Sequence, residues 1–413
     1  MWLKHTTLSE RRALVAAFAG YGVDGFDTMI YTFIIPTLLA VWGMSRAEAG
    51  YIATGTLLTS ALGGWAAGVL ADRFGRVRIL QLTIAWFALF TFLSGFTDSL
   101  LQLLIVRSMQ GLGFGGEWAV GSILIAETIR PANRGRATGL VQSSWAVGWA
   151  GAAFVYWGAY ALMPPQHAWR VMLWSGVLPS LLVVYIRRNV AEPPIYLQAR
   201  EHAKPVAAQF LTIFSAPLLR ITALASLLSG GMLGAYYSVT TWLPTFLNSE
   251  RHLSVTGTAT YLLVLIAGCF AGYLSSAWLS DAIGRRRCFV LFALGGILAV
   301  LTYTQLRAGD LATEVLGFPL GFFNSGIFAG TGAYLTELYP TAVRGSGQGF
   351  SYSFGRALGA VCPALIGRAT VEYSLGEAIG AMTTVAYVVV ILAVWALPET
   401  RGRVLTVEAP AVG

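Results

Sequence analysis

The sequence predicts an all-α membrane protein with twelve transmembrane helices in two pseudo-symmetric six-helix bundles. Of its 413 residues, 56% are hydrophobic and only 11% are charged, whereas about a quarter of the residues of a soluble protein are charged. Apolar runs of about 20 residues recur along the chain, and each is long enough to cross a hydrocarbon layer about 30 Å thick. A repeat of short motifs relates the two halves of the chain.

Short polar segments separate the apolar runs and set the bounds of the predicted spans. The twelve spans lie near 13–42, 49–71, 79–97, 100–128, 137–162, 169–187, 218–247, 255–280, 288–306, 312–338, 346–367 and 376–397. We predict an N-terminal bundle over 1–187, a cytoplasmic linker over 188–217, a C-terminal bundle over 218–398 and a cytoplasmic tail over 399–413. The first run lacks the features of a cleaved signal peptide, so it is predicted to be a retained span.

The distribution of basic residues predicts the orientation of the chain. If the N-terminus is inside, 20 of the 27 Lys and Arg residues fall in the N-terminal tail, the inner loops and the C-terminal tail, and 5 fall in the outer loops. Cytoplasmic loops of membrane proteins are enriched in Lys and Arg. Both termini are therefore predicted to be cytoplasmic, in a bacterial-type inner (cytoplasmic) membrane.

Nucleic-acid binding and metal binding are not expected. The net charge is +8, but the basic residues lie in short loops between apolar runs rather than on one face, so we expect no nucleic-acid partner. Cys269, Cys288 and Cys362 lie in or beside apolar spans and form no CxxC pair. They are expected to be small buried side chains rather than metal ligands. No cofactor is predicted.

Four pairs of short motifs form the internal repeat. The segment DRFGRVR at 72–78 matches DAIGRRR at 281–287, 209 residues later, and ETIRPANRG at 127–135 matches ELYPTAVRG at 337–345, 210 residues later. Two weaker pairs, IIPTLL with WLPTFL and AEPP with LPET, occur at similar offsets. The common offset indicates two parallel six-helix repeats, related by an axis along the membrane normal.

The segments GVLADRFGRVR, RSMQGLGFGGE, PANRG and PETRG resemble signature motifs of the major facilitator superfamily. The resemblance covers essentially the whole chain and implies the major facilitator fold, in which two halves alternate between inward-open and outward-open states around a central site. It also implies that charged residues of the inner loops hold the inner side closed while the outer side is open. A plainer interpretation is that basic inner loops orient any membrane protein. The expected gating residues are Asp72, Arg73, Arg76, Glu127, Arg134, Asp281, Arg285, Glu337 and Arg344.

Span 1 carries two carboxylates inside an otherwise apolar helix. Tyr21, Asp24, Asp27 and Tyr31 are three, three and four residues apart, so their side chains form one stripe along the helix. A charge in lipid is costly, and ionisable residues inside membrane spans usually mark proton or substrate sites. All four histidines lie in tails or loops, so carboxylates are predicted to carry any proton coupling.

Span 4 supplies the expected partners of these carboxylates, because Arg107 and Glu117 share one of its faces. At about 1.5 Å per residue, Asp27 lies about 22 Å above the basic N-terminal tail, and Arg107 lies about 13 Å below the outer end of span 4. These depths allow contact between Asp27 and Arg107, with a permanent structural ion pair as the alternative to a proton switch. We predict Asp27 as the main proton acceptor, with Asp24 and Glu117 secondary.

Three further resemblances refine this hypothesis. GFDTMIY resembles span 1 of proton-coupled sugar porters, where the aspartate faces the span-4 arginine and takes the transported proton, and DGFD resembles span 1 of aromatic acid/proton symporters. GRALGAVCP resembles span 11 of organic anion carriers, where the arginine holds an anion. In this chain that arginine is Arg356, about 18 Å along the span from Arg344 and thus near the midplane. The alternative is that Arg356 pairs with helix-end carbonyls and shapes the bundle.

Polar and aromatic residues at the same depth are expected to complete a substrate site near the midplane between the halves. The candidates are Tyr31, Gln142, Trp145, Tyr236 and Asn324, while Trp149 and Tyr237 serve either binding or packing. A buried amide needs a hydrogen-bond partner, which favours the glutamine and the asparagine as ligand contacts.

The sequence therefore predicts a secondary transporter, not an enzyme, that imports a small organic acid together with protons by alternating access and functions as a monomer in the bilayer. DGFD indicates aromatic acids, whereas GGEW resembles the pattern of sialate and lactate-type metabolite symporters. The alternatives are proton-coupled uptake of a sugar or other metabolite and drug/proton export. A membrane enzyme is disfavoured because the spans contain no histidine, and a channel because the chain has two complete bundles and no evident pore ring.

Overall fold

The computed structural model describes residues 6–129, 134–178, 180–192, 211–253, 255–306, 309–340 and 343–401. Across these ranges the chain is helical, with a 3₁₀ turn at Thr212–Phe214 and no strand. The first seven α-helices are α1 (Leu8–Trp42), α2 (Arg46–Phe74), α3 (Arg76–Ser94), α4 (Leu100–Thr128), α5 (Arg134–Leu162), α6 (Pro165–Ser175) and α7 (Ser180–Asn189). The other eight described helices are α8 (Ala216–Ser249), α9 (Val255–Ile283), α10 (Arg285–Gln305), α11 (Asp310–Gly326), α12 (Thr331–Leu338), α13 (Arg344–Gly359), α14 (Cys362–Ala369) and α15 (Leu375–Ala396).

All twelve predicted spans are helical, which confirms the fold class. The sixth, tenth and eleventh spans each consist of two helices, α6 with α7, α11 with α12 and α13 with α14. Within the described ranges, eight of the twelve are long and apolar enough to cross a membrane. The eleventh span breaks just before Pro363, which stands in the first turn of α14. Proline is tolerated there because its missing N–H would have no partner at a helix start.

Side-chain caps explain where several helices begin. Thr7 accepts a hydrogen bond from the backbone N–H of Glu10, whose carboxylate accepts from the N–H of Thr7, so α1 starts at Leu8, five residues before the predicted span. Such a capping box satisfies backbone N–H groups that the first helical turn leaves without intrahelical partners. Ser45 with Glu48 starts α2, and Ser374 with Glu377 starts α15, in the same way.

Two glycine turns are the structural counterpart of the internal repeat. Gly75 joins α2 to α3 and has φ 111°, and Gly284 joins α9 to α10 and has φ 100°. Residues with a side chain rarely adopt such positive φ values, so glycine is required at both turns. The repeated sequences DRFG and DAIG therefore encode the same reversal between consecutive helices.

By their contacts the residues form two compact units, Met1–His202 with Leu243–Ala259 (unit 1) and Ala203–Trp242 with Thr260–Gly413 (unit 2). The predicted division at a linker over 188–217 stays a prediction, because 193–210 lie outside the described residues, as do 402–413 of the predicted tail.

Close packing in unit 1 joins α2 to α4 and α1 to α5. A Cβ at Gly115 would overlap the carbonyl of Ser60, and one at Gly148 would overlap the carbonyl of Gly22. Small residues let two membrane helices approach to backbone contact. Gly115 of the fourth span thus lets α4 pack closely against α2, and Gly148 of the fifth span lets α5 pack closely against α1.

In unit 2, α10 packs against α15 and α11. The indole of Trp242 in α8 donates a hydrogen bond to the Pro363 carbonyl, at 3.2 Å, in the eleventh span. This bond joins α8 to the first turn of α14, just after the break in the eleventh span.

Candidate functional site

The carboxylate of Asp27 lies at the centre of a polar cluster in unit 1. Asp27 is fully buried. The Thr91 hydroxyl of α3 donates to its Oδ1, and the Gln110 amide of α4 donates to its Oδ2. Arg107 Nη1 lies 3.8 Å from Oδ2, beyond a direct hydrogen bond. The carboxylate therefore has two neutral donors and a nearby positive charge, an arrangement that lets a buried acid exist in its ionised form.

Tyr31 completes this cluster on the side of Arg107. Its ring centroid lies 5.2 Å from the guanidinium carbon of Arg107, and its hydroxyl donates to the Ala49 carbonyl at 2.9 Å. The structure thus brings together Asp27, Arg107 and Tyr31, as their predicted depths and shared faces require. The π face of an aromatic ring attracts a cation, so Tyr31 holds the guanidinium beside the carboxylate.

Asp24 and Glu117 lie in the same unit and are also buried. Glu117 Oε1 occupies the space where a side chain on Gly20 would stand, one helical turn from Asp24 along α1. Glu117 therefore lies at the α1–α4 packing surface, about two helical turns from the level of Asp27, and Asp24 lies between these two levels on α1.

Helix α5 places its candidate residues along α1. The indole of Trp145 lies 5.1 Å from the ring of Tyr21 and 6.4 Å from that of Phe114. The buried Oε1 of Gln142 and the buried Nε1 of Trp149 have no hydrogen-bond partner among the described residues. Two polar atoms of α5 are thus available to a ligand or a water molecule.

Thr91 and Gln110 are functional candidates that the sequence did not single out. Thr91 is the one polar residue in the apolar run FALFTFL, and Gln110 lies one turn from Arg107 on the same helix. The presence of a polar residue inside an apolar span could therefore have identified both as candidates. The identity of its partner was not predictable, because it depends on how the helices are rotated against one another.

Arg356 lies in unit 2 among aromatic residues. Its guanidinium carbon is 5.4 Å from the centroid of the Tyr352 ring. Tyr237 is also buried in unit 2. Arg356 is only 6% exposed, so the eleventh span holds a buried positive charge.

The polar candidates of the tenth and seventh spans have partners in unit 2. The Tyr387 hydroxyl of α15 donates to Asn324 Oδ1 at 2.9 Å, so the amide oxygen of Asn324 is occupied and its NH₂ group is the part suited to a ligand. Tyr236 lies edge-on to Tyr237 and to Phe328, with centroid distances of 6.0 and 5.4 Å.

The structure describes the side chains of three of the nine predicted gating residues. Arg285 Nη2 lies 3.0 Å from Glu337 Oε1, and the Thr400 hydroxyl also donates to Glu337. Arg76 is buried at the start of α3. The side chains of Asp72, Arg73, Glu127, Arg134, Asp281 and Arg344 lie outside the described part of the structure.

Two glutamates missed in the sequence cap the helices that follow the glycine turns. Glu192 accepts hydrogen bonds from the backbone N–H groups of Arg76 and Val77, at 2.8 and 3.0 Å. Glu399 accepts from the N–H groups of Arg285 and Arg286, both at 3.0 Å. A negative charge at a helix N-terminus is stabilised by the unpaired N–H groups and by the helix dipole. The repeat pairing AEPP with LPET was the signal that these glutamates are equivalent.

The comparisons with known proteins identify the family of this chain. The sequence profile described as Major Facilitator Superfamily matches residues 17–313. The chain belongs to the Major Facilitator Superfamily.

Relatives of this Major Facilitator Superfamily member are transporters. The "Probable 4-methylmuconolactone transporter" of Cupriavidus pinatubonensis is 40% identical over 401 residues, which cover 97% of this chain and 93% of the relative. The "Niacin transporter NiaP" of Acinetobacter baylyi is 32% identical over 420 residues, which cover 94% of this chain and 93% of the relative. The family and these relatives indicate a transporter rather than an enzyme.

A solved structure of the superfamily has the same fold. The xylose transporter XylE from E. coli, in a partially occluded inward-open conformation, superposes with a TM-score of 0.73 over 97% of this chain and 100% of that chain. The two sequences are 18% identical, so the likeness is one of fold. The twelve-helix major facilitator fold predicted from the apolar runs and the motifs is thereby confirmed.

Proposed function

We propose that this protein is a proton-coupled symporter that imports a small organic acid, as its carboxylate, by alternating access. The observation that carries the proposal is the buried Asp27 carboxylate, which has two hydrogen-bond donors and lies 3.8 Å from Arg107. A carboxylate in this position can take a proton and lose its attraction to the arginine. The same step changes the net charge of the cluster by one.

Asp27 and Arg107 have distinct parts in this proposal. When Asp27 is ionised, its charge is balanced by Arg107, which also rests on the ring of Tyr31. Protonation of the carboxylate removes that balance, since a neutral acid attracts a guanidinium far less than a carboxylate does. Arg107 is then free to reorient, and the change in its position is what couples proton binding to the movement of helices α1 and α4. Asp24 and Glu117 serve as secondary proton acceptors.

Arg356 is the proposed anchor of the substrate carboxylate. A guanidinium offers parallel N–H donors that match the two oxygens of a carboxylate. The compounds named for the two relatives, 4-methylmuconolactone and niacin, are small ring compounds with one carboxylic acid group. A buried arginine and relatives named for such acids together favour an organic acid over a sugar. Tyr31, Gln142, Trp145, Tyr236 and Asn324 are proposed to contribute further contacts.

Charged residues at the helix ends are proposed to control the alternation. The pair between Arg285 and Glu337 is partly buried, with side-chain exposures of 11% and 14%, and is joined by Thr400. An ion pair of this kind can hold two helices together in one state and separate in another. We extend the same role to the equivalent residues of the first repeat. We also propose that the protein acts as a monomer in the inner membrane with both termini in the cytoplasm.

Reconstituted transport tests the proposal. Proteoliposomes with an inward proton gradient should accumulate labelled nicotinate or 4-methylmuconolactone above its external concentration, and collapse of the gradient by a protonophore should abolish the accumulation. Labelled acid should also exchange for unlabelled acid when no gradient is present. Exchange without gradient-driven accumulation would contradict proton coupling, and transport of xylose but of no carboxylate would contradict the substrate class.

A further inference from the structure

Helices α10 and α15 of unit 2 form an antiparallel pair. Both are long and apolar enough to cross a membrane. A Cβ at Gly296 of α10 would overlap the ring of Tyr387 in α15, and a Cβ at Gly380 of α15 would stand 3.3 Å from Leu301 of α10. Because the residue numbers rise along one helix as they fall along the other, the start of α10 lies beside the end of α15.

Each helix of this pair has a stripe of exposed apolar side chains. The stripe of α10 consists of Leu291, Leu294, Leu298 and Leu301, and that of α15 consists of Val385, Val388, Leu392 and Trp395. Side chains three and four residues apart lie on one face of a helix. In a protein that crosses the membrane, exposed apolar stripes of this kind face the lipid acyl chains.

Three arginines lie at the end where α10 begins and α15 ends, and we call them the arginine cluster. Arg286 Nη2 donates to the Trp395 carbonyl at 2.8 Å and thereby joins the two helices. Arg287 is exposed and lies one turn before the first leucine of the α10 stripe. The backbone N–H groups of Arg286 and Arg401 both donate to the carboxylate of Glu399, at 3.0 Å, so Arg401 lies at the same end.

The arginine cluster carries more positive charge than its neighbours balance. Glu337 is paired with Arg285, and the one carboxylate of Glu399 faces three guanidinium groups. Among the residues that the structure describes, the guanidinium groups of Arg287 and Arg401 have neither a hydrogen bond nor an ion pair. Two exposed positive charges are therefore available to an anion.

The first repeat has only part of this arrangement. In DRFGRVR, Arg78 corresponds to Arg287 and is also exposed, but the buried Val77 stands where DAIGRRR has Arg286. The hydrogen bond that joins the start of α10 to the last span therefore has no counterpart at Val77. The arginine cluster is a feature of unit 2 and not a general consequence of the repeat.

We propose that the arginine cluster and the two apolar stripes together bind an anionic phospholipid. Its phosphate lies at Arg287 and Arg401, because basic residues at the end of a span attract anionic headgroups. Its acyl chains lie along the stripes, which continue from the cluster for about 15 Å on α10. Trp395, which is 65% exposed, lies at the level of the headgroups, where tryptophan is enriched in membrane proteins. A free anion would match the arginines but not the stripes.

Native mass spectrometry of the purified full-length protein tests this site. The probe is dioleoyl phosphatidylglycerol, and dioleoyl phosphatidylcholine is the lipid with the same acyl chains and no net charge. Wild type should bind the first phosphatidylglycerol molecule more tightly than the first phosphatidylcholine molecule. Arg287→Gln should weaken phosphatidylglycerol binding about fivefold, the factor expected for one basic residue next to an anionic headgroup. It should leave phosphatidylcholine binding unchanged.

Arg78→Gln is the matched control, because it removes the same charge from the equivalent position of the first repeat. It should change the Kd for phosphatidylglycerol by less than twofold. Equal losses in Arg78→Gln and Arg287→Gln would show a general attraction to anionic lipid and would overturn the site. Equal Kd values of the two lipids for wild type would also overturn it. Displacement of phosphatidylglycerol by an equal concentration of inorganic phosphate would show that the arginines bind a free anion instead of a lipid.

Discussion

Arg107 Nη1 lies 3.8 Å from Asp27 Oδ2, while both oxygens of that carboxylate accept hydrogen bonds from other side chains, Thr91 and Gln110. A direct charge-assisted hydrogen bond between these groups would be about 2.7–2.9 Å long. The charges are close enough to attract each other in a buried site, but neutral donors hold the carboxylate in place. Arg107 can therefore move away from Asp27 without breaking a hydrogen bond between the two.

Asp27→Asn should abolish accumulation of substrate driven by a proton gradient. Asparagine preserves the size of the side chain and an oxygen that accepts hydrogen bonds, but it cannot take a proton. Exchange of labelled for unlabelled acid should survive at a rate within a fewfold of wild type. Accumulation above the external concentration by the Asn variant would show that another group carries the proton.

Thr91→Val should reduce stability by about 1–3 kcal/mol, because a buried carboxylate oxygen loses its donor. Thermal unfolding in detergent measures the change. In an Asp27→Asn background the same substitution should cost about half as much, since hydrogen bonds to charged groups are roughly twice as strong as neutral ones. Thr83→Val is the matched control on α3: its buried hydroxyl donates to the Leu80 carbonyl of its own helix, at 3.0 Å. Equal costs of Thr91→Val in both backgrounds would show that Thr91 does not act through Asp27.

The cap formed by Glu399 should make stability depend on pH. Partial burial alone would raise the pKa of Glu399, but backbone N–H groups, among them those of Arg286 and Arg285, outweigh burial and lower the pKa below the ordinary value of 4.5. A lowered pKa stabilises the folded state above pH 4.5, and this contribution is lost as pH falls through the lowered pKa. Glu399→Gln should cost about 0.3–1 kcal/mol at pH 7 and less near pH 3.

Glu372→Gln is the control for that measurement, because Glu372 is exposed and lies outside the helix caps. It should leave the midpoint of unfolding unchanged at pH 7. If Glu399→Gln and the control have equal unfolding midpoints at pH 7, the backbone hydrogen bonds of Glu399 contribute nothing measurable to stability.

Glu337→Gln should change the rate of transport more than the affinity for substrate. The substitution weakens the 3.0 Å contact between residue 337 and Arg285. Because we propose that this contact forms and separates during alternation, the turnover number should change severalfold. The Kd for substrate should stay within about twofold of the wild-type value. Asp98→Asn is the control, since the pair of Asp98 with Arg170 is closer still, at 2.7 Å, but Asp98 is 79% exposed. Solvent-exposed ion pairs contribute only about 0–1 kcal/mol to stability. Equal turnover in wild type and Glu337→Gln would refute the gating role.

The parts of the molecule that follow from local sequence were predictable. Hydrophobic runs predicted the twelve spans, and the helical rise predicted that Asp27 and Arg107 lie at compatible depths. The hydrogen bonds of Thr91 and Gln110 to Asp27 were not predictable, because they depend on the rotation of three helices about their axes. Glu192 was missed for a similar reason: it caps a helix start 116 residues earlier in the chain, and no local pattern encodes that contact.

Arg356 is expected to bind the substrate carboxylate. Removing one partner of a buried charge pair costs about 2–5 kcal/mol, so Arg356→Ala should weaken binding of the acid by about 30-fold or more. Arg356→Lys should also bind more weakly than wild type, because an ammonium group cannot form the two parallel hydrogen bonds of a guanidinium. Calorimetry on monodisperse protein measures both. A monodisperse Arg356→Ala variant with wild-type affinity would exclude the anchoring role.

Movement of protons with the acid tests the central claim, which is coupled transport of a carboxylate and a proton. Proteoliposomes that contain a pH-sensitive dye, with equal pH inside and outside, receive an inward gradient of nicotinate or 4-methylmuconolactone. Protein-free liposomes correct for passive permeation of the neutral acid. Wild type should acidify the lumen as the acid is taken up, and Asp27→Asn should exchange the acid without changing luminal pH. Uptake of the acid by wild type with no acidification above the protein-free control would contradict the account.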